Sequence, residues 1–207
     1  MDSITDLLSQ YALIIFIRKP ELGKVKTRLA TTIGNEKALE IYKSLLEHTL
    51  EIAKQVQARK FIFYSDGMVV DDNWNLPGFE KRDQIGDDLG EKMSNAFNAL
   101  LLNYNKVVII GSDCFELTSE LISEAFEQLN KSDVAIGPAK DGGYYLLGMK
   151  KCISELFLNK KWSSSNVYSS TIKNLQDMGL SFYELPILSD VDTQGDLPLR
   201  FQQDYFI

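Results

Sequence analysis

Positive charge is concentrated in one short segment of this otherwise acidic chain. Eleven residues contain five cationic side chains and a single acidic one, Glu21. Lysine and arginine donate hydrogen bonds to phosphate oxygens, and a glycine lets the backbone approach a ligand closely. The segment therefore predicts a phosphate-binding loop, and a charged loop that only faces solvent is the alternative. Its cations and its glycine are Arg18, Lys19, Gly23, Lys24, Lys26 and Arg28.

The spacing of this loop excludes two familiar nucleotide-binding motifs. Counted back from Gly23 and Lys24, the first glycine of a Walker P-loop falls on Arg18, and its Ser/Thr position falls on Val25. The loop also lacks the G-x-G-x-x-G pattern of dinucleotide-binding folds. A phosphate site here must therefore depend on side-chain charge rather than on a glycine-rich cradle.

Aspartates stand after two later predicted strands. Asp113 follows a buried apolar run, and Asp190 and Asp192 follow the last predicted strand. Carboxylate oxygens suit Mg²⁺ or Mn²⁺, and alternate spacing can place Asp190 and Asp192 on one side of an extended segment. Asp192 could then complete a metal site with Asp113. The residues alone also allow Asp113 to belong to a turn and Asp192 to cap a helix that begins near Gln194.

A turn signal, Asp141-Gly142-Gly143, precedes two consecutive tyrosines. Asp-Gly is a common hairpin turn, and that role alone would explain it. The two glycines also clear space, so that Tyr144 and Tyr145 could line an acceptor pocket. Asp141 is a candidate general base because of its place beside that pocket.

Other reactive residues indicate structural roles. The single histidine, His48, lies inside a predicted helix, where a packing role explains it. Without a second histidine, a Ser-His-Asp or Cys-His mechanism has little support. Cys114 and Cys152 are far apart in sequence and have no metal-binding spacing. They predict neither a disulfide framework nor a zinc site, and a reducing cytoplasm is the natural setting.

Composition limits the classes of partner. The 207 residues are 44% hydrophobic and 25% charged, as expected for one soluble domain spanning residues 1–207. A net charge of −7 argues against a nucleic-acid polymer as partner. No apolar run approaches the roughly 20 residues that span a bilayer, so no membrane role is expected. Asp2 and Asp6, without nearby Lys or Arg, are unlike a secretory signal.

Hydrophobic periodicity predicts alternating strands and helices. This order is typical of an α/β three-layer sandwich with a mainly parallel sheet, mixed around the turn-linked pair. Ligands of such sheets bind at the carboxyl ends of the strands, where the charged segments lie. Residues 18–34 are predicted to be a loop. The strands are predicted at 11–17, 61–64, 107–110, 134–136, 144–147 and 182–185, and the helices at 35–57, from 87 or 88 onward, at 118–129 and at 165–178.

Segments along nearly the whole chain, from about Ile15 to Leu197, together resemble a known family. This is the glycosyltransferase-like family of radical-SAM/selenodomain-associated transferases, related to bacterial nucleotidyltransferases with the GT-A fold, including the phospholactate guanylyltransferase group. The matching segments occur in the order of the family: IFIRKPELGKVKTRLA, QIGDDLGEKM, GSDCFELT, GPAKDGGYYLLG, KWSSSNV and DVDTQGDL.

The resemblance implies a GT-A-like sheet with a nucleotide site over its N-terminal half. It also implies metal ligation by Asp113 and Asp192, with Lys24, Lys26 and Arg28 facing a diphosphate or triphosphate. Gly86 would lie near the base or ribose. The chain departs from the family pattern at Phe115, where proline is usual, and at Gln194-Gly195, where proline-glutamate is usual.

Three functions are compatible with these residues. The first is a glycosyltransferase-like enzyme that uses Mg²⁺ or Mn²⁺, a nucleotide-diphospho-sugar donor and a small-molecule acceptor. The second is a nucleotidyltransferase that moves NMP from an NTP to a small phosphorylated acceptor, and the third is a non-catalytic nucleotide-binding module. The candidate catalytic residues are Lys26, Asp113 and Asp141, and the candidate donor-binding residues are Arg18, Gly23, Lys24, Lys26, Arg28, Gly86, Gly142 and Gly143.

Overall fold

Strands alternate with helices in the computed structural model, which describes residues 10–198 and 201. The expectation drawn from Asp2 and Asp6 lies outside the described residues. None of the described helices is long and apolar enough to cross a membrane. The strands are β1 (Tyr11–Ile17), β2 (Arg59–Tyr64), β3 (Phe79–Asp83), β4 (Lys106–Ile110), β5 (Val134–Pro138), β6 (Tyr144–Met149) and β7 (Phe182–Glu184). The helices are α1 (Thr27–Ile33), α2 (Asn35–Gln55), α3 (Leu89–Leu101), α4 (Ser119–Gln128) and α5 (Val167–Asp177).

The seven strands form one sheet in the order β3-β2-β1-β4-β6-β5-β7. Strand β6 runs antiparallel to β4 and β5, and the other neighbours are parallel, which confirms the predicted mixed region. After β1 the chain adds β2 and β3 on one side and then returns to place β4 on the other. The strand order therefore reverses between β1 and β4, and such a reversal opens a crevice at the carboxyl ends of the strands.

Helices cover both faces of the sheet. Leu13 and Ile15 of β1 pack with Tyr42 of α2 and Phe126 of α4 on one face. The alternate residues of β1 pack on the opposite face with Phe97 of α3 and with apolar residues of α5. Because both faces are buried, the central strands β1, β4 and β6 are largely continuous apolar runs rather than alternating ones. This arrangement confirms the predicted three-layer α/β sandwich.

The segment predicted to be a loop contains a helix. Residues 18–34 include α1, whose single buried residue, Leu29, packs with Ile41, Leu45 and Val191. A seven-residue helix with one buried position has no periodicity that a sequence pattern could reveal. The loop prediction is wrong for this part of the segment. Helix α2 begins at Asn35, the predicted first residue of this helix. Its N-cap position is occupied by Gly34 and not by Asn35.

Two smaller predictions are confirmed by specific contacts. Asp88, one of the two aspartates predicted to open α3, occupies the N-cap and accepts a hydrogen bond from the Glu91 backbone N–H at 2.9 Å. His48 has a structural role, because its Nε2 lies 3.0 Å from the Leu117 carbonyl oxygen and its ring packs 4.5 Å from that of Phe115.

Replacing Asp88 by alanine should destabilise the fold modestly. The variant loses the side-chain acceptor at the start of α3, and removing such a cap costs about 1 kcal/mol, or about 2–4 °C in melting temperature. Asp87→Ala is the matched control, because the Asp87 backbone rather than its side chain bonds to Glu91. Urea unfolding of both variants checks the prediction, and equal losses for the two would contradict the assignment of the cap.

Candidate active site

A cleft of about 770 Å³ opens at the carboxyl ends of β1 and β4. Its volume lies within the usual range for small-molecule sites. Four of the segments singled out in the sequence contribute to it, so the sheet brings together residues that are up to 174 positions apart (18 to 192). From these segments its lining includes Arg18, Lys26, Arg28, Asp113, Asp141, Asp190 and Asp192.

One lysine connects the two carboxylates that were predicted to bind a metal. The Lys26 Nζ lies 2.8 Å from Asp113 Oδ1 and 3.3 Å from Asp192 Oδ1. The Lys26 side chain is only 4% exposed, whereas those of Asp113 and Asp192 are 45% and 36% exposed. Arg28 Nη1 approaches Asp192 Oδ2 at 3.5 Å from the solvent side. Both acidic groups therefore present oxygens to one point in the cleft.

An unusual backbone conformation directs Lys26 into the cleft. Lys26 immediately precedes α1 and has φ 48° and ψ 43°. These angles lie in the left-handed region, which residues other than glycine rarely adopt. Its neighbour Val25 is buried, as is Leu29 one turn later, so packing on both sides holds this conformation. Backbone strain of this kind is concentrated at functional sites, where the surrounding structure enforces it.

A backbone hydrogen bond joins the two acidic segments. The Val191 N–H donates to the Asp113 carbonyl oxygen at 2.9 Å, and the Val191 side chain is buried. Its neighbours Asp190 and Asp192 both line the cleft, as their alternate spacing predicts. The cap of the following short 3-10 helix is Thr193, so the capping role considered for Asp192 is wrong.

Asp190 is a cleft residue that was not selected from the sequence. Burial, together with the carboxylates of Asp113 and Asp141, raises the pKa of Asp190 to about 7, and Lys26 acts in the opposite direction. Near neutral pH the acidic side of the cleft therefore carries less charge than its number of aspartates implies. The D-x-D spacing of Asp190 and Asp192 indicated that both could face one side, but the burial of Asp190 depends on how the sheet packs around it.

The turn after β5 forms the predicted hairpin turn and also lines the cleft. Asp141 lines the cleft, and its Oδ1 also accepts a hydrogen bond from the Gly143 N–H at 2.8 Å, as in a side-chain-closed turn. Gly142 has φ +90°, and a Cβ there would lie 2.1 Å from the Ser165 carbonyl oxygen. Only glycine therefore fits between the turn and residues 163–165, another wall of the cleft.

Several predicted donor-binding residues lie away from the cleft lining. Lys24 is 74% exposed and pairs with Glu21 at 2.5 Å, and Gly23 lies beside the Asn35 side chain. A Cβ at Gly86 would lie 2.7 Å from the Glu91 Cβ, so this glycine serves close packing against the start of α3. Arg18 is at the edge of the cleft, where its Nε lies 3.5 Å from Asp66.

Other cleft residues carried little sequence signal. The Tyr42 hydroxyl accepts a hydrogen bond from the Arg18 N–H at 2.9 Å and lies 3.1 Å from the Arg18 carbonyl oxygen, which fixes the start of the basic loop. Its position within the apolar stripe of α2 made it look like an ordinary core residue. Ser163 and Ser164, which belong to the KWSSSNV segment, line the cleft, and Ser163 has φ 59°.

The donor set fits a divalent cation whose coordination is completed by substrate oxygens. Asp113 and Asp192 lie close enough to share one cation, because an oxygen of each contacts the Lys26 ammonium, whereas no group of three or more His, Cys, Asp or Glu side chains among residues 10–198 and 201 is arranged to hold a metal. Mg²⁺ is commonly held by one or two carboxylates and by substrate phosphates. The residues therefore fit an ion that arrives with a nucleotide.

Solved structures share this fold. A protein from Desulfovibrio desulfuricans G20, provisionally assigned as a nucleotide-diphospho-sugar transferase, is 35% identical, with a TM-score of 0.83 over 89% of this chain and 83% of that one. The 4-diphosphocytidyl-2C-methyl-D-erythritol synthase of Anaerococcus prevotii DSM 20548 is 14% identical, with a TM-score of 0.59 over 95% and 96%. The manganese complex of Rv0371C from Mycobacterium tuberculosis H37Rv is 14% identical, with a TM-score of 0.57 over 94% and 98%.

The sheet is thus the GT-A-like sheet of nucleotide-diphospho-sugar transferases. A family model described as "Uncharacterized protein conserved in bacteria" matches residues 49–164. Because that match spans more than half of the chain, and because the identity to the Desulfovibrio protein extends over most of it, this protein belongs to the DUF2064 family of proteins conserved in bacteria.

Proposed function

We propose that this protein is a metal-dependent glycosyltransferase-like enzyme with a nucleotide-diphospho-sugar donor. The observation that carries the proposal is the convergence of Lys26, Asp113 and Asp192 in a cleft at the point where the strand order reverses. The assignment of the 35% identical Desulfovibrio protein supports the same donor class. As predicted from composition, we propose one domain over residues 1–207 in the cytoplasm, without a nucleic-acid or membrane partner.

Several charged groups in the cleft have roles in this proposed reaction. Asp113 and Asp192 hold Mg²⁺ or Mn²⁺, which supplies charge neutralisation at the donor diphosphate. Lys26 and Arg28 donate hydrogen bonds to the diphosphate oxygens and stabilise the charge that develops on them. Rv0371C, which has the same fold, has been crystallised with manganese, and this supports the choice of cation.

The transfer step moves the sugar from the diphosphate to an acceptor hydroxyl. The acceptor oxygen forms a bond to the anomeric carbon of the sugar as the bond from that carbon to the β-phosphate oxygen breaks. The hydroxyl proton passes to a carboxylate, for which Asp141 is the candidate, and the nucleoside diphosphate leaves with the electron pair of the broken bond. Asp141 lines the same cleft as the phosphate-binding groups.

A nucleotidyltransferase is the second candidate. The cation density of the basic loop favours it, because a triphosphate carries more charge than a sugar diphosphate, and a synthase of cytidine diphosphate compounds shares the fold. In that reaction an acceptor phosphate oxygen attacks the α-phosphorus and pyrophosphate leaves. Product analysis separates the two, because nucleoside diphosphate release indicates glycosyl transfer and pyrophosphate release indicates nucleotidyl transfer. Nucleotide binding that does not depend on a metal ion, without turnover, would indicate the non-catalytic module.

Metal-dependent nucleotide binding should require Asp113. With a nucleotide-sugar at about one hundred times its dissociation constant, Mg²⁺ or Mn²⁺ should raise the melting temperature of the wild type by about 5–10 °C. Asp113→Ala should lose this shift, because one of the two carboxylates that face the ion is gone. Asp71→Ala, which removes an exposed carboxylate outside the cleft lining, is the control. An unchanged shift in Asp113→Ala would refute the metal site.

Two lysines of the same loop should differ in their effect on donor binding. Lys26→Met removes the ammonium inside the cleft and should weaken binding of the nucleotide by about tenfold or more, as expected when a charge-assisted hydrogen bond is lost. Lys24→Met should change binding less than about threefold, because Lys24 is exposed and paired with Glu21. Calorimetric titration of both variants provides the test. Equal losses would mean that bulk charge, rather than the geometry at Lys26, binds the donor.

A further inference from the structure

A smaller cavity of about 290 Å³ continues from the cleft beneath the carboxyl end of β4, and we refer to it as the apolar chamber. It descends between the sheet and helices α3 and α5. It shares the aspartates of the cleft at its mouth, and its interior is formed by Phe16, Met93, Ile109, Leu147, Trp162 and Val167. A ligand in the chamber would therefore be in contact with both apolar side chains and the reacting end of the donor.

The ionisable side chains at the mouth of the chamber are all aspartates. Asp113, Asp141, Asp190 and Asp192 line it, and none of its described lining residues is a lysine or an arginine. Among the cations that line the cleft, Lys26 pairs with Asp113 and Asp192, while Lys92 belongs to α3, the helix whose Leu89 and Met93 line the chamber. A cation shared by Asp113 and Asp192 would still leave Asp141 and Asp190 facing the chamber.

One basic residue close to the chamber in sequence is engaged elsewhere. Lys160 precedes the chamber residue Trp162 by two positions, and its Nζ donates to Ser170 Oγ and to Asn174 Oδ1, both at 2.9 Å. The Trp162 ring packs against Gly90, where a Cβ would lie 2.5 Å from the ring. This part of the chamber wall is therefore held in place without bringing the Lys160 ammonium to the ligand.

The nucleotide has a separate place on the opposite flank. Ile17, Ser65 and Gln84 follow or end strands β1, β2 and β3 and line the cleft but not the chamber. Lys26 and Arg28 lie between that flank and the chamber mouth in the order of the sheet. A donor with its diphosphate at Lys26 therefore has room for its nucleoside on the polar flank, which leaves the chamber for the second substrate.

We infer that the chamber holds the acceptor, and that this acceptor is an uncharged alcohol with a compact apolar body rather than a phosphorylated compound. The inference rests on the proposed function and specifies its acceptor class. An apolar body removes surface from water against the chamber wall, and its hydroxyl reaches the carboxylates at the mouth, where Asp141 can take the proton. A phosphate placed inside the chamber would face apolar side chains and carboxylates, without a lysine or an arginine in the described lining, and such repulsion excludes wrong partners.

Matched ligands test this acceptor class by binding alone. 2-Phenylethanol and 2-phenylethyl phosphate share one apolar body and differ in the phosphate group. Titrations follow the tryptophan fluorescence of the wild-type chain, because Trp162 lies in the chamber wall. The alcohol should bind about tenfold or more tightly than its phosphate ester, with free and with donor-loaded protein. Equal or tighter binding of the ester, or no binding of the alcohol, would overturn the inference.

Substitutions on one helix locate the binding. Val167→Phe fills the chamber and should weaken binding of the alcohol by about tenfold or more, while Ile172→Phe adds a ring to the same helix outside the lining and should change it less than about twofold. Nucleotide binding, measured separately, should survive both changes. If Val167→Phe loses the nucleotide as well, the chamber holds part of the donor and the inference fails.

A charge change gives a readout that does not depend on filling the chamber. Asp141→Asn removes one carboxylate from the chamber mouth. The ratio of the affinities for the alcohol and for its phosphate ester should therefore fall several-fold. An unchanged ratio would overturn the role of charge. Absence of any nucleotide binding with the alcohol preference intact would refute the proposed donor and leave the chamber assignment standing. A preference for the ester with nucleotide binding intact would instead favour the nucleotidyltransferase alternative.

Discussion

One nearly buried ammonium group holds the candidate site together. Lys26 joins an aspartate from the centre of the chain to one from near its end, and neither carboxylate has another cation as close in the described structure. Without that ammonium the two carboxylates would repel each other across the cleft, because opposite charge is what makes partly buried ions tolerable. Helix α1 serves this interaction, since its packing fixes the backbone from which Lys26 extends.

The sheet separates positive from negative charge within one opening. Cations enter from the loop after β1, and carboxylates come from the ends of β4 and β5 and from the segment after β7. On the proposed function, a polyanionic donor would meet the cations and a neutral acceptor would meet the apolar chamber. The fold alone does not fix the group transferred, and the Anaerococcus synthase shares it at only 14% identity. The assignment therefore depends on side chains.

The sequence predicted most of the fold because strands buried on both faces are continuous apolar runs. The run at 11–17 is β1 itself, and the turn-linked pair became β5 and β6. The sequence could not reveal α1, because a helix with one buried residue shows no hydrophobic periodicity. Nor could it distinguish Lys24 from Lys26, because the left-handed backbone at Lys26 decides which ammonium enters the cleft. Asp190 escaped selection because its burial arises from distant elements.

The contact between Gly142 and Ser165 links two walls of the cleft mechanically. With no room for even a methyl group between them, and with the Gly142 carbonyl oxygen accepting the Tyr168 N–H at 2.8 Å, the turn and the start of α5 form one rigid block. Any side chain at position 142 would therefore push the Asp141 turn and residues 163–165 apart. The spacing of these two walls is thus set by the missing side chain of a residue that does not itself line the cleft.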